Sequence, residues 1–185
     1  MGYSIELYFD HGFEEKLRSL WDELEKAGVP SIMQKIGSRP HLSLIIMDRC
    51  NIDHVAALID VGIKGRFQFS LTFPAISIIP GEQQTVFLTP VINSDLIGIQ
   101  KGLYNLLVEK GYCVRKQYEP NNWLPHCSIS KELSSAEALK TLEVCQNRAP
   151  VGETLITDIG FIEFRPRKVI KTFSLMDNKL GAHDI

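Results

Sequence analysis

The chain has no excess of basic residues. Its 20 Lys and Arg stand against 22 Asp and Glu, for a formal net charge of -2. Proteins that track a nucleic-acid backbone normally carry a basic excess or stripe. A long strand or duplex is therefore not the expected ligand, although a small site for one nucleotide or a strand end stays open. Long apolar runs are also missing: none approaches the roughly 18 residues that span a bilayer, so no membrane association is expected. The opening Met1-Gly2-Tyr3-Ser4-Ile5-Glu6 has neither the basic region nor the apolar core of a signal peptide. Glu6 stands where a myristoylation signal wants Ser or Thr. Cysteines are few: Cys50, Cys113, Cys127 and Cys145 form no C-x-x-C pair and no zinc spacing. Free thiols and a cytoplasmic location are the expectation.

What is present is ordinary globular material, 185 residues with 44% hydrophobic and 23% charged. That length suits one domain of two intimately packed lobes, and a monomer is expected. Tyr3 to Phe9 alternates Tyr3, Ile5, Leu7 and Phe9 with Ser4, Glu6 and Tyr8, the period of a strand. Glu14 to Ala27 carries Leu17, Leu20, Trp21 and Leu24 at helical spacing, which places Trp21 in the core, and stops at Gly28 and Pro30. Ser31 to Arg39 reads as a connector, followed by a strand from His41 to Met47. Asn51 or Asp53 caps a helix through Ile59. Phe67 to Phe73, Ala75 to Ile79 and Thr85 to Ile92 read as strands. Asp95 to Lys110 is a second long helix, and Ser134 or Ser135 with Glu137 opens a third. Thr154 to Phe164 and Lys168 to Met176 form a closing hairpin around Arg165-Pro166-Arg167, and the end from Asn178 is expected to fray.

One pattern occurs twice. Pro40-His41-Leu42-Ser43-Leu44 and Pro125-His126-Cys127-Ser128-Ile129 each open an apolar run. Along a strand, residues i and i+2 share a face, so each copy turns a histidine and a serine the same way. The layout around them also repeats: strand, long helix, connector, motif strand. A duplication of this kind would bring both His/Ser pairs to one groove. Histidine titrates near neutrality, so one imidazole can take a proton while the other gives one. Ser43 and Ser128 are then placed to hydrogen-bond the non-bridging oxygens of a phosphoryl group. Symmetric acid and base suit a phosphodiester, in which entering and departing oxygens lie on opposite sides of phosphorus. This chemistry needs no metal and no cofactor, and neither is expected.

The two motifs resemble the paired H-x-[ST]-x motifs of the 2H phosphoesterase superfamily, which includes 2′-5′ RNA ligase-like proteins and cyclic nucleotide phosphodiesterases. Ser38-Arg39-Pro40-His41 and the closing strand Val169 to Leu175 share the resemblance, which spans nearly the whole chain. It implies an α+β fold of two pseudo-symmetric lobes, with antiparallel sheets around a central groove and helices outside. It further implies His41 and His126 as catalytic residues, and hydrolysis of a 2′,3′-cyclic phosphate on a nucleotide or RNA end. The alternatives are cleavage or ligation of 2′-5′-linked oligonucleotides, and a binding module for RNA or a nucleotide that does not turn it over.

Other side chains are weaker candidates. Tyr118 and Trp123 flank the second motif and are able to stack a nucleobase or anchor a loop. Arg39, Arg165 and Arg167 are candidate phosphate contacts. His11, His54 and His183 fall outside any pattern and read as surface residues.

Overall fold

The computed structural model describes residues 2–177. His183 and the stretch from Asn178 lie outside them. Eight strands and five α-helices follow in the order β1 (Gly2–Phe9), α1 (His11–Lys26), α2 (Ile32–Lys35), β2 (Leu42–Met47), α3 (Ile52–Ile63), β3 (Phe69–Phe73), β4 (Ala75–Ile79), β5 (Gln84–Thr89), α4 (Ser94–Glu109), β6 (Cys127–Leu133), α5 (Ser135–Cys145), β7 (Gly152–Phe164) and β8 (Lys168–Ser174). A 3₁₀ turn at Lys116–Tyr118 precedes β6. Local chemistry sets the helix starts. Asp10, Asn51 and Asn93 each accept a hydrogen bond from a first-turn backbone N–H, and Ser134 with Glu137 forms a complete capping box. The helix α2 lies within the Ser31 to Arg39 stretch that reads as a connector, and both motif strands begin one residue after their histidines rather than on them.

The strands form one antiparallel sheet in the order β3-β7-β1-β2-β6-β5-β4, with β8 paired to β7. The repeat read from the sequence lies at its centre: β1-α1-β2 on one side meets β5-α4-β6 on the other. β2 and β6 are joined through the single pair Leu42↔Cys127. They touch at their first residues, and each then runs away from the other. The connectors close the space this leaves. Val114 bridges Met47 and the Arg115 amide donates to the Ile46 carbonyl, so the second connector lies along β2. The first connector, with α2, lies against β6, where the Ser130 hydroxyl donates to the Pro30 carbonyl at 3.1 Å. Leu42, Leu44, Cys127 and Ile129 join the apolar residues of the long helices in one cluster, Trp21 being buried in α1 as expected.

β1 is buried on both faces: β2 and β7 pair with its edges, the apolar face joins the core, and Arg167, Tyr8 and His41 lie against Glu6 on the other. Tyr8 shows how tight that second face is. Gly160 on β7 lies beside Glu6 on β1, and a Cβ there would fall inside the Tyr8 ring. Gly160→Ala must expel a fully buried tyrosine, and overpacking of this kind costs about 3 kcal/mol. Thermal unfolding should show a midpoint lower by roughly 10 °C for a chain of this size. An unchanged midpoint would mean that Tyr8 has room to move.

Candidate active site

The two motifs are built alike. The Nδ1–H of His41 donates to the Arg39 carbonyl at 2.7 Å, and that of His126 donates to the Leu124 carbonyl at 2.8 Å. Each acceptor is the carbonyl two residues before its histidine. A carbonyl only accepts, so the proton of the neutral ring sits on Nδ1 and the Nε2 lone pair is left over. The Leu42↔Cys127 pair sets the register between the motifs. One step to either side places His41 opposite Ser128 and Ser43 opposite His126. The histidines are then diagonal neighbours across the strands, a relation that spans about 7–8 Å. All four side chains line a groove of about 660 Å³.

The surroundings of the two imidazoles differ. His41 Nε2 lies 3.3 Å from Glu6 Oε1, with the histidine side chain 10% exposed and the glutamate 2%. Glu6 Oε2 also accepts from Arg167 Nη2 at 2.9 Å and from the Tyr8 hydroxyl at 3.2 Å. Among the described residues no carboxylate pairs with His126; its ring packs edge-on against Phe87, centroids 5.1 Å apart. Burial pushes both imidazoles below their ordinary pKa. For His41, the Glu6 charge and the Arg39 carbonyl oppose this, while Lys131 and Arg167 add to it. For His126, the Leu124 carbonyl opposes it, while Lys131 and His41 add to it. The geometry therefore gives His41 a partner for its second proton and gives His126 none.

Of the other candidates, Tyr118 lines the groove, and burial pushes its phenol up to about 12 despite Arg115 and the neighbouring Ser43. Arg165 and Arg167 line it as well, with Arg167 committed to Glu6. Trp123 is not a groove residue. It is buried, and its indole N–H donates to the Ser43 carbonyl at 3.0 Å, so it anchors the second connector to the first motif strand. Arg39 is not in the groove either. Its guanidinium pairs with Glu14 at 2.7 Å and lies 3.9 Å over the Tyr8 ring, so only its carbonyl serves the site. His11 and His54 are exposed, paired with Glu15 and Tyr112 respectively. All four cysteines are free thiols, with Cys127 buried beneath the motif. Among the described residues no three His, Cys, Asp or Glu side chains gather as a metal site, and no helix is long and apolar enough to cross a membrane.

Among the groove residues that the sequence candidates do not include are Glu6 and Lys131. Alternation along Tyr3 to Phe9 puts Glu6 on the face opposite the apolar residues, but nothing local says that this face is covered. Lys131 escapes for a different reason, the irregular course of β6.

An α+β chain with one antiparallel sheet, split at its centre by two facing His-x-Ser strands, has the fold of a solved phosphoesterase structure and of E. coli LigT. Solved structures carry the same fold. TT0787 of Thermus thermophilus matches with a TM-score of 0.65 at 14% identity, over 96% of this chain and 100% of that one. E. coli LigT in its apo form matches at 0.64 and 15% identity, over 95% and 97%. Usb1 of Kluyveromyces marxianus matches at 0.50 and 11% identity, over 95% and 97%. No family profile matches the sequence, and no curated protein matches it.

Proposed function

We propose that the protein is a metal-independent phosphodiesterase that opens 2′,3′-cyclic phosphates of nucleotides or RNA ends. The observation that carries this reading is the pair of imidazoles in one groove, each held at Nδ1 by a carbonyl and each with a serine beside it. His126, whose Nε2 has no acidic partner, takes the proton from an attacking water. The water oxygen bonds to phosphorus, and the bond from phosphorus to the 2′ or 3′ oxygen breaks. His41, whose Nε2 faces Glu6, gives its proton to that departing oxygen. The rings end with the proton exchanged between them, and solvent restores the starting state. Ser43 and Ser128 hold the non-bridging oxygens in line.

E. coli LigT, which shares the fold, has crystal structures complexed with 3'-AMP and with phosphate. Ligands of that size and charge suit a groove with two serines and two imidazoles. In this reading the chain works as one domain of two lobes, as a monomer, in a reducing cytoplasm where its thiols stay free. A second reading, action on 2′-5′-linked oligonucleotides, is favoured by the reach of the groove past the motifs to Phe164 and Arg165. A binding module without turnover has less support, since binding alone does not need two titrating groups set for opposite proton transfers.

Phosphorus NMR of 2′,3′-cyclic nucleotides incubated with the protein in EDTA tests the reading. The cyclic resonance should disappear and one monoester resonance should replace it, its shift reporting which oxygen departs. A cyclic resonance that persists for every nucleotide, with cleavage of 2′-5′ dinucleotides instead, would move the assignment to the second reading.

A further inference from the structure

The groove contains a cation that the motifs do not account for. Alternation from Ser128 would turn Lys131 away from the groove. β6, however, is irregular against β5. Phe87 pairs with Ser128, but Val86 pairs with Ser130 and Gln84 with Leu133, so β6 carries an extra residue in each interval. Glu132 takes a φ of 59°, in the left-handed region. Bulges re-aim side chains and recur beside active sites. The first bulge leaves Ser130 facing the Pro30 carbonyl, while Lys131 turns into the groove on the side of Ser128.

The Lys131 side chain is half-buried. Among the described residues its ammonium makes no hydrogen bond and no close ion pair. Its charge is felt by Glu6, Arg167 and both motif histidines. Glu6 does not discharge it, because its oxygens are already taken by Arg167, Tyr8 and His41. An ammonium has three donors and no acceptor, and holding it partly out of water without an acceptor is costly. Burial accordingly pushes its pKa below the ordinary lysine value, with Arg167 adding to the fall and Glu6, Cys127 and Glu132 opposing it, none of them within hydrogen-bond distance of the ammonium among the described residues. What would repay that cost is an anion in the groove.

We propose that Lys131 is a phosphoryl-binding residue that donates to a non-bridging oxygen of the phosphate held between His41 and His126. The proposal rests on the phosphodiesterase reading for the identity of the substrate, but not for the contact with phosphate. Attack on a phosphodiester raises the negative charge on the non-bridging oxygens. Ser43 and Ser128 meet that charge as neutral donors, and Arg167 is already neutralised by Glu6. Lys131 adds a full charge, worth more as the charge on phosphorus grows. It also lowers the pKa of both imidazoles, which favours His126 as the proton acceptor and is outweighed at His41 by the opposing charge of Glu6.

Three measurements test this. First, inorganic phosphate is titrated into wild type while the Lys131 ammonium resonance is followed by nitrogen-edited NMR; saturable movement of that resonance is expected. Second, Lys131→Gln should raise the phosphate dissociation constant roughly tenfold. Third, Lys131→Gln should lower kcat on 2′,3′-cyclic AMP about 100-fold, and Lys131→Arg should recover part of the loss. A lysine resonance indifferent to phosphate, or a Lys131→Gln protein that binds phosphate and turns over as wild type does, overturns the proposal. If Lys131→Gln does not fold, the wild-type titration and Lys131→Arg still decide it. Phosphate binding that depends on Lys131 in a protein inert towards every cyclic nucleotide would refute the cyclic-phosphate reading and leave the lysine contact standing.

Discussion

Removal of either motif imidazole should cost about 10³-fold in kcat, the usual worth of one positioned proton transfer, with little change in KM. The two losses should be distinguishable, because the rings do opposite work. His126→Ala removes the base and with it the acid limb of the pH–rate profile. In wild type that limb is His126 gaining a proton, so activity falls as pH drops through its pKa, which burial holds below the ordinary histidine value. His41→Ala removes the acid and the alkaline limb. Combined in one protein, the two changes should cost less than the product of the single losses, because once one proton transfer is gone the other has less to assist.

A change of leaving group separates the roles directly. Bis(p-nitrophenyl) phosphate releases p-nitrophenolate, which departs without a proton. His41→Ala should therefore retain most of the wild-type rate on that ester, while His126→Ala should remain impaired. The reverse pattern would exchange the assignments, and equal loss in both variants on both esters would mean that neither ring acts through a proton.

The parts of this site that can be read from the sequence are those set by short-range geometry. A histidine and a serine two apart on a strand share a face whatever the rest of the chain does, and the cap at Ser134 with Glu137 is a contact within one helical turn. The repeated strand-helix-connector-strand layout carried more, because a duplicated unit has few ways to meet its copy. Residues whose place depends on what lies over them were not legible. Glu6 sits in an alternating strand that would look the same if that face met water; only its position between β2 and β7, with the Arg167 hairpin above, buries it. Lys131 depends on an extra residue in β6 that no turn signature marks. Trp123 and Arg39 show the opposite error. Aromatic and basic residues beside a motif invite a ligand, yet here the indole finds a backbone carbonyl and the guanidinium finds Glu14 and a tyrosine face.

Glu6→Gln should move the alkaline limb of the profile to lower pH and leave the acid limb in place. The limb is the loss of the proton that His41 must deliver. Glu6 raises the pKa of His41, and Arg167 lowers it by less. Without the carboxylate, burial, Lys131 and Arg167 act on the ring against only the Arg39 carbonyl. The folded-state pKa falls, and the protonated fraction at neutral pH falls with it. The acid remains present but is less often charged, so kcat at neutral pH should drop on the order of tenfold to a hundredfold, short of the full loss in His41→Ala. Stability has to be separated from this. Glu6→Gln leaves the Arg167 guanidinium, 10% exposed, facing a neutral amide, and breaking a buried pair on one side costs about 3–5 kcal/mol. Glu6→Gln with Arg167→Met removes both charges at once, a change that is often close to neutral for stability. Because Glu6 outweighs Arg167 at His41, the double variant should still show the limb displaced to lower pH while folding normally. A double variant with the wild-type alkaline limb would show that the glutamate holds Arg167 and Tyr8 in place and does not set the charge of His41.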